Sequence, residues 1–94
     1  MDAPFIGPVA REITARLTDA LQPTQLRLTD DSEKHRGHGG YNPAGESHFS
    51  LLVVSPRFEG QSRVARQRMV YAALGDLMRE RVHALSITAK APGE

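Results

Sequence analysis

Hydrophobic residues recur along this chain with two different spacings, and the changes between them divide the sequence into five elements. In residues 7–23 an apolar side chain returns at every fourth position, from Val9 to Leu21, which predicts an amphipathic helix. Residues 24–30, 48–55 and 82–90 have the two-residue alternation of strands. Helical spacing returns over 62–81. The predicted order is therefore helix, strand, strand, helix, strand.

Boundary residues support the two helices. Pro8 suits a first helical position, and Pro23 blocks continuation beyond the first helix. Ser62 is expected to cap the second helix. Gly75 lies inside that helix, where it would weaken it slightly or permit close packing. The expected buried stripe of the second helix comprises Val70, Leu74, Leu77 and Met78. The segment PRFEGQ, residues 56–61, has the composition of a turn.

The middle strand is apolar on both faces. Phe49, Leu51 and Val53 would share one face, while Leu52 and Val54 would share the other, which is typical of a central strand. The first two strands can pair antiparallel, and a crossover through the second helix brings the last strand in parallel. We therefore predict an α+β sandwich with a three-stranded mixed sheet and two helices on one face. The chain is expected to form one domain over 1–94, with its core over about 8–90.

Composition narrows the possible functions. The 94 residues are 39% hydrophobic, and 12 basic against 11 acidic residues give a formal charge of +1. Because the net charge is near zero, the chain as a whole has no strong positive electrostatic potential to attract a polyanion or an anionic membrane. No apolar run approaches the roughly 20 residues of a membrane span, and the first residues lack the pattern of a signal peptide, so we expect a cytoplasmic protein. The chain has no cysteine, which excludes disulfides and thiolate ligands of its own.

The connection between the first two strands, residues 30–47, is unusually long for so small a predicted domain. Hairpin loops commonly need about two to five residues, and much longer ones are usually functional or disordered. This one contains HRGHGG, with His35 and His38 among glycines. Imidazole is the commonest metal-ligating side chain, so the loop is either a plain linker or a source of metal ligands.

Three segments resemble the BolA-like family. LRLTDDSEKHRGHGG, ESHFSLLVVSPRFEGQSRVARQRMVY and VHALSITA look like successive family signatures, in order, from about Leu26 to Ala89. The resemblance implies a fold like the class II KH domain, which agrees with the element order above. It also implies a monothiol glutaredoxin as partner, with a [2Fe–2S] cluster bridging the two proteins.

Carried over by position, the family's C-terminal ligand histidine matches His83 in VHAL. The loop ligand best matches His38, and His35 is the competing position. This chain offers imidazoles but no thiolate, so the other ligands must come from elsewhere. The resemblance names them as the glutaredoxin cysteine and glutathione, and we expect the chain alone to hold no cluster. His83 could otherwise be a strand-end histidine with a satisfied hydrogen bond, and His38 a solvated loop residue.

Arginines at the start of the second helix are a further candidate contact surface. Arg63, Arg66 and Arg68 could meet acidic groups of glutathione or of the partner, or they could form a solvated helix face. The family often has Arg-His-Arg at this helix start, whereas this chain has Arg66-Gln67-Arg68. Gln67 therefore has no imidazole role.

Three other functions compete with cluster ligation. The resemblance suggests DNA-binding transcriptional regulation as the main alternative, and Gly37 to Gly40 matches the G-x-x-G loop of KH domains, although between strands rather than helices. A zinc site from His35, His38 and His48 would lack any thiolate or carboxylate ligand. No nucleophile–base pair or phosphate-binding motif is readable, so we predict that the chain is not an enzyme.

Overall fold

The protein, analysed as a computed structural model, is described over residues 7–31, 48–82 and 84–94. These contain helix α1 (Pro8–Leu21), strands β1 (Gln25–Asp30) and β2 (His48–Val54), a short 3-10 helix (Pro56–Phe58), helices α2 (Arg63–Leu74) and α3 (Leu77–Glu80), and strand β3 (Ala84–Lys90). Strand β1 includes Asp30, the first residue of the predicted loop. His35, His38 and His83 lie outside the described residues.

The sheet has the predicted mixed topology. Its strand order is β1-β2-β3, with β1 antiparallel and β3 parallel to the central strand β2. Phe49, Leu51 and Val53 are buried beneath the helices, whereas His48, Ser50, Leu52 and Val54 alternate onto the open face and are half-buried. The two-sided apolar pattern of β2 therefore indicated its central place correctly.

Helix α1 begins and ends where its sequence predicts. Pro8 occupies the first turn, and the helix ends at Leu21, before Gln22 takes a left-handed conformation with φ of 46°. The apolar residues spaced four apart, Val9, Ile13, Leu17 and Leu21, are all buried. This stripe packs on the sheet beside α2 and forms half of the helical layer.

The prediction of one continuous second helix is wrong in one respect, because the segment forms two helices. Ser62 caps α2 as expected, with its Oγ accepting from the Ala65 N–H at 3.1 Å. Gly75 then takes φ 56° and ψ −128°, which ends α2 at Leu74 and starts a new direction for α3. A residue with positive φ cannot continue a right-handed α-helix, so the glycine terminates the helix instead of merely weakening it.

The segment after β2 also differs from a simple turn. Pro56–Phe58 forms the short 3-10 helix, and Phe58 is fully buried in the core. The turn proper follows at Glu59 and Gly60, where Gly60 has φ of 76°. The core comprises Val9, Ile13, Leu17, Leu21, Phe49, Leu51, Val53, Phe58, Val70, Leu74, Leu77, Val82 and Ala91.

Candidate functional site

Three strand ends meet at one edge of the sheet. Strand β1 finishes there, and the Asp31 N–H donates to the carbonyl oxygen of His48, the first residue of β2, at 2.7 Å. His48 in turn lies opposite Ala84, the first residue of β3. Neighbouring strands lie about 4.8 Å apart. The end of β1 and the starts of β2 and β3 therefore form one continuous edge, which we call the ligand edge.

Chain connectivity relates the ligand edge to the predicted cluster ligands. His35 and His38 belong to the segment that leaves at Asp31 and returns at His48, and His83 directly precedes Ala84. Consecutive Cα atoms are about 3.8 Å apart. Both segments that carry the predicted ligands are thus attached at the same edge, through residues of the ordered sheet. The ligand assignments themselves fall outside the described residues and stay predictions.

The described side chains of this edge make polar contacts with one another. Ser50 Oγ donates a hydrogen bond to the Asp31 carboxylate, which holds the end of β1 against β2. His48 is half-buried on the open face. Within residues 7–31, 48–82 and 84–94, no three histidine or acidic side chains are grouped closely enough to hold a metal ion. The zinc alternative depends on His35 and His38, which lie outside the described residues, so this observation does not test it.

Arg66 is engaged inside the molecule. Its Nη1 and Nη2 donate to the two carboxylate oxygens of Glu94 at 2.6 and 2.9 Å. The same guanidinium donates to the carbonyls of Gln61 and Ala89, at 2.9 and 3.2 Å. The side chain is only 14% exposed. Its geometry fastens α2 to β3 and to the residues that follow β3.

Arg63 and Arg68 differ from Arg66. Both side chains are exposed, and neither forms an ion pair with a described residue. Of the three predicted partner-binding arginines, these two present free charge at the surface. A partner that used Arg66 would first have to displace the Glu94 carboxylate.

Ion pairing changes the acid–base behaviour of the carboxylates near α2. Hydrogen bonds from Arg66, and then from the Ala91 N–H, lower the pKa of Glu94 from 4.5 to about 2. A hydrogen bond from Arg16 likewise lowers the pKa of Asp76. Both carboxylates are thus ionised at neutral pH: Glu94 holds α2 to the residues that follow β3, and Asp76 holds the junction of α2 and α3 to α1.

Sequence patterns did not reveal two polar residues that organise the structure. Ser55 is fully buried: its Oγ donates to the Leu21 carbonyl at 2.6 Å and accepts from the Arg57 N–H at 3.1 Å. Arg16 donates to the Leu74 carbonyl at 2.6 Å and to Asp76 at 3.0 Å. The Ser-Pro pair at 55–56 was a local signal for a capped turn. Nothing local signals the contact between Arg16 and Asp76, because sixty positions separate them.

Open grooves mark the surface of the described residues. One, of about 180 Å³, lies between α2 and β3. Another, of about 200 Å³, lies on the open face of the sheet. Both grooves are smaller in volume than the clefts of about 300–1,000 Å³ that are typical of small-molecule sites.

The protein is an α+β sandwich with its helices on one face of a mixed three-stranded sheet. Comparison with known proteins identifies the family of small domains to which this architecture belongs. The sequence profile described as BolA-like protein matches residues 17–94. The chain therefore belongs to the BolA-like family, as the signature segments predicted.

Relatives and solved structures agree with this assignment. The chain is 43% identical over 89 residues to human BolA-like protein 1, covering 95% of this chain and 62% of that protein. It is 40% identical over 93 residues to SufE-like protein 1 of Arabidopsis thaliana, covering 95% of this chain and 25% of the relative. Among structures, the BolA domain of SufE1 from Arabidopsis thaliana superposes with a TM-score of 0.83 at 39% identity, covering 94% of this chain and 96% of that domain.

The extent of these matches bears on domain organisation and location. The chain spans about a quarter of the SufE-like relative and just over three fifths of human BolA-like protein 1. The SufE-like relative is described as chloroplastic or mitochondrial. None of the helices in the described residues has the length and apolar character needed to span a membrane. The predicted cytoplasmic location is not settled by these observations.

Proposed function

We propose that this chain is a non-enzymatic partner of a monothiol glutaredoxin and supplies histidine ligands to a [2Fe–2S] cluster that bridges the two proteins. The cluster would serve iron–sulfur assembly, trafficking or iron regulation. In this proposal His83 is the ligand beside β3, and His38 is the loop ligand in preference to His35.

The observation that carries the proposal is the convergence of strand ends at the ligand edge. The 2.7 Å bond between the Asp31 N–H and the His48 carbonyl oxygen closes the base of the segment that contains His38. The register of His48 with Ala84 brings the residue after His83 to that same base. The segments that carry the two proposed ligands are far apart in sequence but have neighbouring attachment points on the sheet, which supports the proposal.

The metal-ligating side chains of this chain fit a cluster site shared with a second protein better than a cluster site within this chain alone. With no cysteine, the chain has no thiolate to offer, and an iron–sulfur cluster normally takes four cysteine ligands. Two histidines can replace two thiolates on one iron, and this substitution raises the reduction potential. The remaining thiolates would come from the glutaredoxin cysteine and from glutathione. The complex is then obligate for cluster binding.

Family membership and one relative supply further support. The relative named SufE-like protein 1 matches this chain over a quarter of its own length, and its solved part is called a BolA domain. The presence of a BolA domain within a SufE-like protein suggests a role for such domains in an iron–sulfur pathway. Exposed Arg63 and Arg68 offer cations for acidic groups of the partner or of glutathione.

Reconstitution tests the proposal directly. The chain, a monothiol glutaredoxin, glutathione, ferric iron and sulfide are mixed anaerobically, and the visible absorption is compared with that of each protein treated alone. We expect the chain alone to remain colourless, and the mixture to give a spectrum distinct from that of the glutaredoxin. A stable brown form of the isolated chain, or a mixture identical to glutaredoxin alone, would refute the proposal. A steep salt-dependent shift with duplex DNA, in the absence of any cluster, would favour the DNA-binding alternative.

A further inference from the structure

Strand β3 is an edge strand of the sheet, and its outer side has no neighbouring strand among the described residues. The strand order places β3 at the end of the sheet, so none of the described strands pairs with its outer side. Natural edge strands are usually short, or protected by charged residues, proline or bulges. Strand β3 has seven residues, and its sequence ALSITAK carries no charge before Lys90. By contrast, the other edge strand, β1, carries Arg27 and Asp30.

Backbone groups of alternate β3 residues point to this outer edge. In a parallel pair, successive residues direct their N–H and C=O groups to opposite sides. The Lys90 carbonyl faces inward, because it accepts from the Ser55 N–H at 2.9 Å. The Ala89 carbonyl faces outward, where Arg66 Nη1 reaches it at 3.2 Å. By the same alternation Leu85 and Ile87 present their N–H and C=O groups outward, with no bond from a described residue.

A groove with a positive rim runs beside this edge. Its volume is about 180 Å³, and it is lined by Arg63, Gln67, Ile87, Thr88, Ala89 and Lys90. Arg63 and Lys90 form no ion pair with a described residue. The Glu94 carboxylate, which interacts electrostatically with Lys90, is already hydrogen-bonded to Arg66. The groove therefore carries two cations without a close ion-pair partner among the described residues, beside backbone groups that no described residue bonds.

Apolar side chains on α2 flank the groove. Val64 and Tyr71 are 56% and 41% exposed, the two large hydrophobic residues that stand out as exposed in the described part. They lie three residues before and four residues after Gln67, which places all three on one side of α2. Because Gln67 lines the groove, this apolar pair extends the groove wall.

We propose that the outer edge of β3 and this groove bind an extended acidic segment of a partner protein, which adds to the sheet as a fourth strand. Main-chain hydrogen bonds to Leu85 and Ile87 would supply affinity, as in other cases of strand addition. Carboxylates of the segment would meet Arg63 and Lys90, and its apolar residues would pack on Val64 and Tyr71. This inference goes beyond the proposed function and does not depend on cluster ligation.

A second copy of this chain fits the edge less well. Pairing of two β3 strands would bring together two cationic grooves, and ALSITAK contains no acidic residue to meet Arg63 or Lys90. Repulsion between like charges opposes such an arrangement. The charge of the groove thus favours an acidic partner segment.

Amide hydrogen exchange of the ¹⁵N-labelled chain tests the proposal, with the peptide acetyl-(Val-Glu)4-amide as probe. We expect the peptide to slow exchange at Leu85 and Ile87, whose N–H groups face outward, and to leave Ser86 and Thr88, which already face β2, nearly unchanged. A lysine version, acetyl-(Val-Lys)4-amide, and a backbone N-methylated glutamate peptide should both fail to protect these amides. Equal protection by the lysine version, or no alternating protection with the glutamate peptide, would overturn the proposal.

Charge reversal provides a matched comparison. The double variant Arg63→Glu/Lys90→Glu should bind the glutamate peptide about fivefold more weakly or worse, as expected for the loss of two exposed ion pairs. The control Arg57→Glu/Arg81→Glu has the same net charge but alters exposed arginines outside the groove, so it should bind nearly as the unmodified chain does. Equal weakening in both variants would overturn the assigned site. Protection of Leu85 and Ile87 that grows with protein concentration in the absence of peptide would show that a second copy occupies the edge, and would also overturn the proposal.

Discussion

Single polar residues join elements that hydrophobic burial alone would leave loosely connected. Ser55 has no exposed surface, and its hydroxyl joins the end of α1 to the start of the 3-10 helix. Its backbone N–H also reaches the end of β3. Through its hydroxyl and its backbone N–H, this one residue thus fixes the point at which α1, β2 and β3 end together.

Replacement of Ser55 by alanine is therefore expected to destabilise the fold. It leaves the Leu21 carbonyl and the Arg57 N–H without their hydroxyl partner, and a buried unsatisfied group costs about 1–3 kcal/mol. We expect the free energy of unfolding in urea to fall by about that amount. The control Ser86→Ala changes an exposed serine on the open face and should stay within about 0.5 kcal/mol of the unmodified chain. Equal stability of the two variants would contradict the role given to Ser55.

The Arg66–Glu94 pair makes a prediction about acid stability. The pKa of Glu94 is lowered from 4.5 to about 2 in the folded chain, so the carboxylate stabilises the fold above pH 4.5. That contribution is lost progressively as the pH falls from 4.5 towards 2, because protonation then competes with the ion pair. Glu94→Gln should lower stability at neutral pH, and its difference from the unmodified chain should shrink as the solution is acidified.

Urea unfolding at several pH values measures this convergence. Glu59→Gln, at an exposed glutamate in the turn after the 3-10 helix, is the matched control. A difference between Glu94→Gln and the unmodified chain that stays constant from neutral pH down to about pH 2 would mean that the Arg66 pair does not set the acid response.

At the scale of elements, the interruption between α2 and α3 is the main departure from the sequence prediction. Gly75 has a positive φ, and Arg16 donates to the Leu74 carbonyl beside it and to Asp76 beyond it. An arginine of α1 thus satisfies a carbonyl at the end of α2. The break between the helices is held by a contact from another element.

Gly75→Ala distinguishes one helix from two by the sign of its effect. In a continuous helix, alanine would stabilise by about 0.5–1 kcal/mol. At φ 56° and ψ −128° a side chain strains the backbone, and we expect a loss of about 1–3 kcal/mol in unfolding free energy. An added Cβ meets only Arg16 Nη1 at 3.6 Å, so conformation rather than steric overlap decides the outcome. Ala72→Gly, at an exposed position inside α2, calibrates the ordinary helical effect. A stabilised Gly75→Ala variant would contradict the break.

Element type and order were predictable because burial is one-sided. The four-residue spacing in α1 and the alternation in β1 reflect which side chains face the core, and local sequence records that pattern directly. The end of α2 was not predictable in the same way, because glycine inside a helix and glycine at its end look alike in sequence. The partners of Ser55 and Arg66 lie 34 and 28 positions away, where no periodicity connects them.

For the candidate site, sequence and structure contribute different parts. Pairing of the strands, which the pattern predicted, is what brings Asp31, His48 and Ala84 to the ligand edge. The choice of His83 and His38 came from resemblance to the family. Spacing alone leaves these histidines indistinguishable from a strand-end residue and a loop residue, because the other cluster ligands in the proposal are absent from this sequence.

At the scale of the whole molecule, a small fold provides several surfaces with different uses. The ligand edge gathers the attachment points of the histidine-bearing segments at one end of the sheet. The outer edge of β3 offers backbone and cationic groups along its length. Because the grooves of the described residues are small, the function proposed for the chain relies on a complex rather than on an enclosed pocket.

Visible circular dichroism of the reconstituted complex with His83→Ala tests the central claim most directly. His48→Ala is the matched control, because it removes the described histidine at the same edge of the sheet. Far-ultraviolet circular dichroism verifies that both variants fold. The proposal predicts that His83→Ala abolishes the visible signal of the mixed complex and that His48→Ala retains it. An unchanged signal with His83→Ala, in a folded protein that still meets the glutaredoxin, would contradict the assignment of His83 as a cluster ligand.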